Sequence, residues 1–293
     1  MARCLVTGHM GYIGSHLYRA LWAQGHEVMG IDLKEESSKD ILKFLKENED
    51  KSGFHPHYEN FKPEYIFHLA AIPRVPYSIE NPVEVMENNI ISSSMVLNFA
   101  RKVGAKRVIY SSSSSVMGNG NGPENPYGVS KLVPEIECKM YSRLYGLDTV
   151  CLRYFNVYSK DQKVDGPYGT AIASFMDAIK RGANPYITGN GEQRRDMLHV
   201  SDAVRANIFC MEHEGSFSGG HFDVGTGTNI SLNEVKKLVL REHPNIKFDY
   251  VEPRPGDIML TKANTLPLNN LGWHTTVSIQ EGIEECFKFQ KEK

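Results

Sequence analysis

Apolar positions along this chain recur in two rhythms. A short run from Arg3 to Thr7 is apolar at successive positions and passes directly into a stretch with Ile13, Leu17 and Leu21 four residues apart. The first pattern is that of a strand covered on both faces, and the second is one face of a helix. The helical pattern ends near Gly25, and the alternation then repeats. Strands are expected over 27–32, 65–69, 107–110 and 149–153, with helices over 82–102 and 127–145. Such alternation predicts a parallel sheet with helices on both faces. The stretch between Asp32 and His68 is short for a regular third strand-helix unit.

The second half reads differently. Tyr186 to Thr188, the turn-rich GNG at 189–191 and a strand at Met197 to Val200 suggest a smaller mixed α/β region. Ser231 with Glu234, and Ser278 with Glu281, have the spacing of capping boxes and mark two helix starts, the second closing the chain.

Composition narrows the classes. With 41% hydrophobic and 23% charged residues among 293, the chain is neither disordered, collagenous nor a disulfide scaffold. Thirty-three basic against 35 acidic residues give a net charge of −2, so no basic field for nucleic acid exists. No apolar run approaches the ~20 residues of a membrane span, and the N-terminus enters a strand without a secretory hydrophobic region. The expectation is a soluble, cytoplasmic protein with no membrane partner. Five cysteines stand singly, without CxxC or zinc spacing, which fits reduced core thiols and no bound metal.

At the first strand-helix junction, TGHMGYIG sets Gly8, Gly11 and Gly14 where a pyrophosphate can meet exposed amide groups and the positive end of a helix. Gly8 suits a tight turn, Gly11 close approach of phosphates and Gly14 close helix-strand packing. Asp32 ends the second strand, where a carboxylate accepts hydrogen bonds from an adenosine ribose. Glu35 and Glu36 follow it, and no arginine flanks it, so a 2′-phosphate would be repelled. The dinucleotide predicted is NAD rather than NADP. Turn glycines and a solvated loop carboxylate are the plainer alternatives.

Further along, SSSSSVMG at 111–118 precedes YGVSK, which places Tyr127 and Lys131 four residues apart on one helix face. An ammonium beside a phenol, helped by a nicotinamide cation, favours the phenolate, so Tyr127 is expected to approach the near-neutral pKa of a general base. A half-buried tyrosine paired with a surface lysine is the competing explanation.

These motifs, with HLAA at His68–Ala71, RYFNVY at Arg153–Tyr158, GNGEQRRD at Gly189–Asp196 and PRPGD at Pro253–Asp257, occur in the order found in extended short-chain dehydrogenases. Nearly the whole chain resembles the nucleotide-sugar epimerases of the UDP-galactose 4-epimerase type. The resemblance implies a Rossmann-type doubly wound parallel sheet over 1–158, with 197–225 returning to it, and a smaller mixed α/β substrate domain over 159–293. It implies Ser113 as the catalytic serine, with Ser112 and Ser114 left open, Tyr127 as base and Lys131 as its electrostatic partner. Gly8, Gly11, Tyr12, Ile13, Gly14, Asp32, Leu33, Asp40, Ile41, Leu69, Ala70, Ala71, Asn88 and Tyr154, with Tyr127 and Lys131, would line NAD. Asn156, Arg195, Arg254 and Asp257 would meet the nucleotide-sugar diphosphate and its surroundings, and Thr261 would gate the sugar. A homodimer through the helices near 82–102 and 127–145 is also implied.

For such an epimerase, Tyr127 takes a proton from the sugar O4 while hydride passes from C4 to NAD. The 4-keto sugar turns, and hydride returns to its other face. A 4,6-dehydratase or a uronate decarboxylase carries acidic residues after the catalytic serine, where this chain has serines. A 4-keto reductase usually favours NADPH, which Asp32 opposes. A non-catalytic NAD-sensing scaffold commonly loses the tyrosine or lysine that stand here. Met117, the short loop after Gly118, and Ser159 depart from the family pattern. A small threonine at 261 leaves room for a C2 acetamido group. The segment 71–78 resembles epimerases of N-acetylated or uronic sugars, although Arg74 is equally explained as a solvated loop charge.

Overall fold

Strand β1 (Arg3–Thr7) is buried at four of its five positions. The reason is its place in the middle of a parallel sheet, with β2 (Glu27–Ile31) on one side and β3 (Tyr65–His68) on the other. β3 pairs in parallel with β4 (Arg107–Ser113), and the sheet continues through β5 (Asp148–Tyr154) to a sixth strand, Gly220–Val224. A strand covered on both faces has no solvent side on which to alternate. The computed structural model describes residues 1–32, 56–162, 164, 170–253 and 258–288; among these, β2 is the outermost strand on its side.

The chain divides into two compact units, residues 1–153 with 204–222, and residues 154–203 with 223–293. In the first unit, helix α1 (Tyr12–Ala23) follows β1, and α2 (Pro56–Phe61) leads into β3. After β3 come α3 (Val75–Glu80), α4 (Pro82–Met86), α5 (Ser92–Val103) and, beyond β4, the long α6 (Pro126–Tyr145). Leu5, Ile66, Phe99, Val108 and Cys151 are fully or almost fully buried between sheet and helices. The buried guanidinium of Arg107 anchors the returning segment: it pairs with Asp148 at 2.6 Å and donates to the carbonyls of Cys210, His213 and Gly215.

One expected helix is not continuous. Between α4 and α5 lies a single π-turn, Glu87–Ile91, which inserts an extra residue into the helical register. Asn88 and Asn89 are both buried within this turn.

The second unit has its own core of Tyr158, Phe175, Val235, Ile283 and Phe287. Its strands are short pairs: Val157–Tyr158 with Leu198–His199, Tyr186–Thr188 with Asp249–Val251, and Arg194–Arg195 with Ile230–Ser231. The strand expected over 197–200 is shorter, because Val200 already opens the helix Val200–Glu212. Both capping boxes form, with Glu234 N donating to Ser231 Oγ at 3.1 Å and Glu281 N to Ser278 Oγ at 3.2 Å. All five cysteines are buried and unpaired as disulfides, and no described helix is long and apolar enough to cross a membrane.

Candidate active site

The glycine turn is built at distances that only glycine allows. Gly8 has φ of +74°, and a Cβ there would lie 2.8 Å from the backbone nitrogen of Ala70. A Cβ on Gly14 would stand 2.1 Å from the Gly8 carbonyl oxygen, so helix and turn meet without room for a methyl group. Helix α1 begins at Gly11 with no side-chain cap and no acidic residue in its first turn, which leaves its amide groups to an anion. Tyr12 and Ile13 form that turn. Asp32 sits beside it, its carboxylate accepting from Met10 N at 2.9 Å. Leu69, Ala70 and Ala71 leave β3 next to it, Leu69 N bonding to Thr7 O and Ala70 N to Thr7 Oγ1. A backbone cradle that any Cβ would fill, an open helix start and a carboxylate at the strand end together fit NAD. Leu33, Asp40 and Ile41 lie outside the described residues.

His68 supports this wall from below. Its ring bonds to Thr7 Oγ1 at 2.7 Å and Ser93 Oγ at 3.0 Å, tying β3 to β1 and α5. Burial, with the nearby Lys131 charge, pulls its pKa down to about 3, so it stays neutral and structural.

The five serines separate into different tasks. The Ser111 carbonyl accepts from Lys131 Nζ at 2.8 Å. Ser112 Oγ donates to Glu135 at 2.5 Å, and Glu135 also receives Arg153 through two bonds of 2.8 and 2.6 Å. Ser113 lies beside the Tyr127 phenol, whose proton affinity it lowers, and caps the following short turn through Ser115 N. Successive residues of a strand point to opposite faces, which is why Ser112 meets the buried ion pair and Ser113 the phenol. Gly128 permits the approach, since a Cβ there would lie 2.6 Å from the Ser115 carbonyl oxygen.

The charges around the phenol differ from the sequence expectation. Burial pushes the Tyr127 phenol above its ordinary value, opposed by the Ser113 hydrogen bond and by the guanidinium of Arg74. The Lys131 ammonium donates to the Ser111 carbonyl and lies over the Tyr110 ring. Burial draws its own pKa down to about 7, with Glu135 pulling the other way. In the protein alone desolvation of Tyr127 outweighs Ser113 and Arg74, and the nicotinamide cation on which the expected near-neutral phenol also depends would add to them.

Two residues that sequence reasoning passed over hold this arrangement. Asn89 accepts from Ile72 N at 2.8 Å and donates to Ile72 O and to Ser130 Oγ, and Ser130 in turn donates to Tyr127 O. The signal was an asparagine adjacent to Asn88, with no spacing rule to pick it out. Arg74, for which a solvated loop charge was one of two explanations, stands at the start of α3, whose Ser78 accepts from Tyr127 N at 3.1 Å.

In the second unit, Asn156 holds a left-handed backbone at φ +35° and donates its amide to Asp196 O at 2.8 Å and Thr261 Oγ1 at 3.4 Å. Asp196 is the organiser: its buried carboxylate accepts from Thr226 N, Gly227 N and Ala263 N. Arg194 is committed to Asn229 and Glu234, while Arg195, its strand neighbour, projects from the other face. Tyr154 ends β5, buried. Arg254 and Asp257 lie outside the described residues.

Comparison with known proteins agrees with this geometry. Residues 4–225 match the NAD dependent epimerase/dehydratase family. The chain is 31% identical to a putative UDP-glucose 4-epimerase of Methanocaldococcus jannaschii, covering 98% of each chain. It is also 31% identical to a UDP-N-acetyl-alpha-D-glucosaminuronate decarboxylase of Bacillus cytotoxicus, over 99% of this chain and 98% of the other. A solved UDP-N-acetylglucosamine 4-epimerase of Methanobrevibacter ruminantium, in complex with UDP-N-acetylmuramic acid, superposes with a TM-score of 0.86 at 29% identity, over 100% of this chain and 99% of that one. With its glycine cradle, its Ser113–Tyr127 pair and a family match across three quarters of its length, the chain belongs to the NAD-dependent epimerase/dehydratase family.

Proposed function

We propose that this protein is a 4-epimerase of a nucleotide sugar, acting on a UDP-hexose or UDP-N-acetylhexosamine. The observation that carries the reading is the placement of Ser113 beside the Tyr127 phenol, whose proton affinity it lowers, so that a phenol oxygen and a hydroxyl can meet one reacting group. Tyr127 Oη receives the proton of the sugar O4 and later returns it, and Ser113 Oγ hydrogen-bonds O4 as it gains carbonyl character. NAD, when bound, supplies the reversible hydride acceptance that makes inversion at C4 free of net oxidation. The glycine turn, Asp32 and residues 69–71 would hold it.

Arg195 would offer its planar fork to the diphosphate, with Asn156 beside the same strand. Loss of water across C5 and C6, or of a carboxylate, needs an acid-base pair after the catalytic serine. Ser114 and Ser115 stand there, which favours epimerisation over dehydration or decarboxylation.

Two copies would pair through the helices. Ile136, Met140 and Leu144 form an exposed apolar stripe at four-residue spacing along α6, and Val83 and Ile91 are exposed on the neighbouring helical segment. Such a stripe on a helix favours a second apolar face. Met140→Glu should give a monomer by light scattering.

The decisive experiment incubates the protein with a panel of UDP- and GDP-sugars and follows C4 configuration by proton NMR, with bound NAD assayed after denaturation. Inversion of at least one UDP-sugar supports the proposal. Loss of water, loss of CO2, or net reduction would replace it, and inertness with NAD retained would favour a non-catalytic role.

A further inference from the structure

Helix α6 meets the end of β4 through side chains one turn apart. Tyr127, Lys131 and Glu135 stand at four-residue spacing along the helix, and all three are buried. The paired register of β3 with β4 ends at His68 with Tyr110. Beyond it, Lys131 Nζ donates to Ser111 O at 2.8 Å and Ser112 Oγ donates to Glu135 Oε1 at 2.5 Å, so the helix grips two successive residues of the strand. Ser113, the next residue, lies beside the Tyr127 phenol. Glu135 is itself locked, because Arg153 of β5 reaches its two carboxylate oxygens at 2.8 and 2.6 Å.

The run Ser111–Ser115 is of one residue type, so its own side chains cannot distinguish one register from the next. A slip of one residue would bring Ser112 or Ser114 to the phenol and turn Ser113 away. Successive side chains of a strand point to opposite faces, so holding Ser112 toward Glu135 fixes the direction of Ser113. A buried ion pair is weak evidence of a device for stability, since apolar side chains of similar volume often serve as well. A fully bonded buried network does rigidify what it holds.

We infer that Glu135, braced by Arg153, is a positioning residue for catalysis: through Ser112 it sets the register and orientation in which Ser113 stands beside Tyr127. The inference rests on the reading of Ser113 and Tyr127 as the pair that meets the sugar O4.

The test is a double-mutant cycle with Ser113. Glu135→Gln, Ser113→Ala and the double variant are compared with the wild type in kcat, in KM and in the midpoint of the Tyr127 phenolate absorbance, the Tyr127→Phe form of each being subtracted. With Ser113 present, Glu135→Gln should lower kcat about tenfold at unchanged KM; in the Ser113→Ala background the loss should be less than about twofold. The phenolate midpoint should shift upward by roughly half a pH unit more with Ser113 present than without it. The lost negative charge acts on the phenol directly in both backgrounds, so the difference between them isolates what passes through Ser113. Equal effects in the two backgrounds, in either readout, overturn the inference, and Glu135 then serves the fold or acts by another route. Glu135→Gln leaves Arg153 buried beside a neutral amide; where that variant does not fold, Glu135→Met combined with Arg153→Met removes both charges and enters the same cycle. The phenolate cycle needs no substrate. An inert wild type in the sugar panel therefore removes the epimerase reading, whereas equal phenolate shifts remove this one.

Discussion

Lys131 donates its ammonium to the carbonyl oxygen of Ser111 at 2.8 Å, so the helix bearing Tyr127 is pinned by a buried cation to the root of the serine strand. Burial lowers this lysine from 10.5 to about 7. Between those values the unfolded chain holds the proton more often than the folded one, so stability rises with pH, and below pH 7 the full cost of a buried charge is present. The thiols of Cys4, Cys210 and Cys286 move from 9.0 up to about 12 and act in the opposite sense above pH 9. Thermal melts between pH 7 and pH 9 should therefore rise less steeply in Lys131→Met than in the wild type. Parallel slopes would show that the lysine keeps an ordinary pKa in the folded protein.

The serine run gives a second test, because neighbours one residue apart do different work. Ser113→Ala removes the hydroxyl beside Tyr127 and should lower kcat by about 10²–10³, with melting lowered only by the loss of the cap on Ser115 N. Ser112→Ala leaves Glu135 with only Arg153, so it should lower the melting temperature and affect kcat much less. Stopped-assay rates and melting curves on both variants decide it, and reversed effects would move the catalytic hydroxyl to Ser112.

The glycine turn, Asp32 and the YxxxK pair were legible because each rests on local spacing, and local spacing maps directly onto one helix or one turn. The choice among five serines was not, since it depends on which face of β4 looks toward Glu135 and which toward Tyr127. Arg74 and Asn89 act across contacts between segments distant in sequence, and no periodicity marks them. The upward push of burial on Tyr127 was hidden for a related reason. Spacing shows which charges are near, but the desolvation that dominates appears only once the packed helices are in place. Asp196 looked like one more motif residue, and its role in gathering the backbones of 226, 227 and 263 is purely tertiary.

Gly128 offers a sharp contrast with ordinary helix chemistry. An alanine in place of a helical glycine generally stabilises by roughly 0.5–1 kcal/mol. Here the added Cβ would sit 2.6 Å from the Ser115 carbonyl oxygen, a backbone atom that cannot swing aside. Gly128→Ala should therefore destabilise the protein and push the serine turn away from Tyr127, with kcat falling and NAD retention preserved. A variant that melts higher and turns over normally would show the approach to be looser than described.

Arg194 and Arg195 are neighbours with opposite expected phenotypes. Arg194 bonds to Asn229 at 2.7 Å and pairs with Glu234 at 2.9 Å, so Arg194→Ala should cost stability while leaving nucleotide-sugar affinity nearly intact. Arg195→Ala should weaken nucleotide-sugar binding by calorimetry, with NAD retention unaffected. Equal affinities in the wild type and Arg195→Ala would remove the diphosphate assignment.

Thr261 separates the shape of the sugar site from the architecture that holds it. Its hydroxyl accepts from Asn156 Nδ2 and from Asp196 N at 3.1 Å, while its backbone nitrogen donates to Arg194 O at 3.0 Å. Thr261→Val removes the acceptor but keeps the volume, so turnover of hexose and N-acetylhexosamine substrates should fall together. Thr261→Tyr also fills the space a C2 acetamido group would use, and should reduce the N-acetylhexosamine rate at least about tenfold more than the hexose rate. The ratio of kcat/KM for the two substrates, measured in both variants, carries the argument. If Val and Tyr change that ratio equally, position 261 acts only through Asn156 and Asp196 and does not gate the sugar.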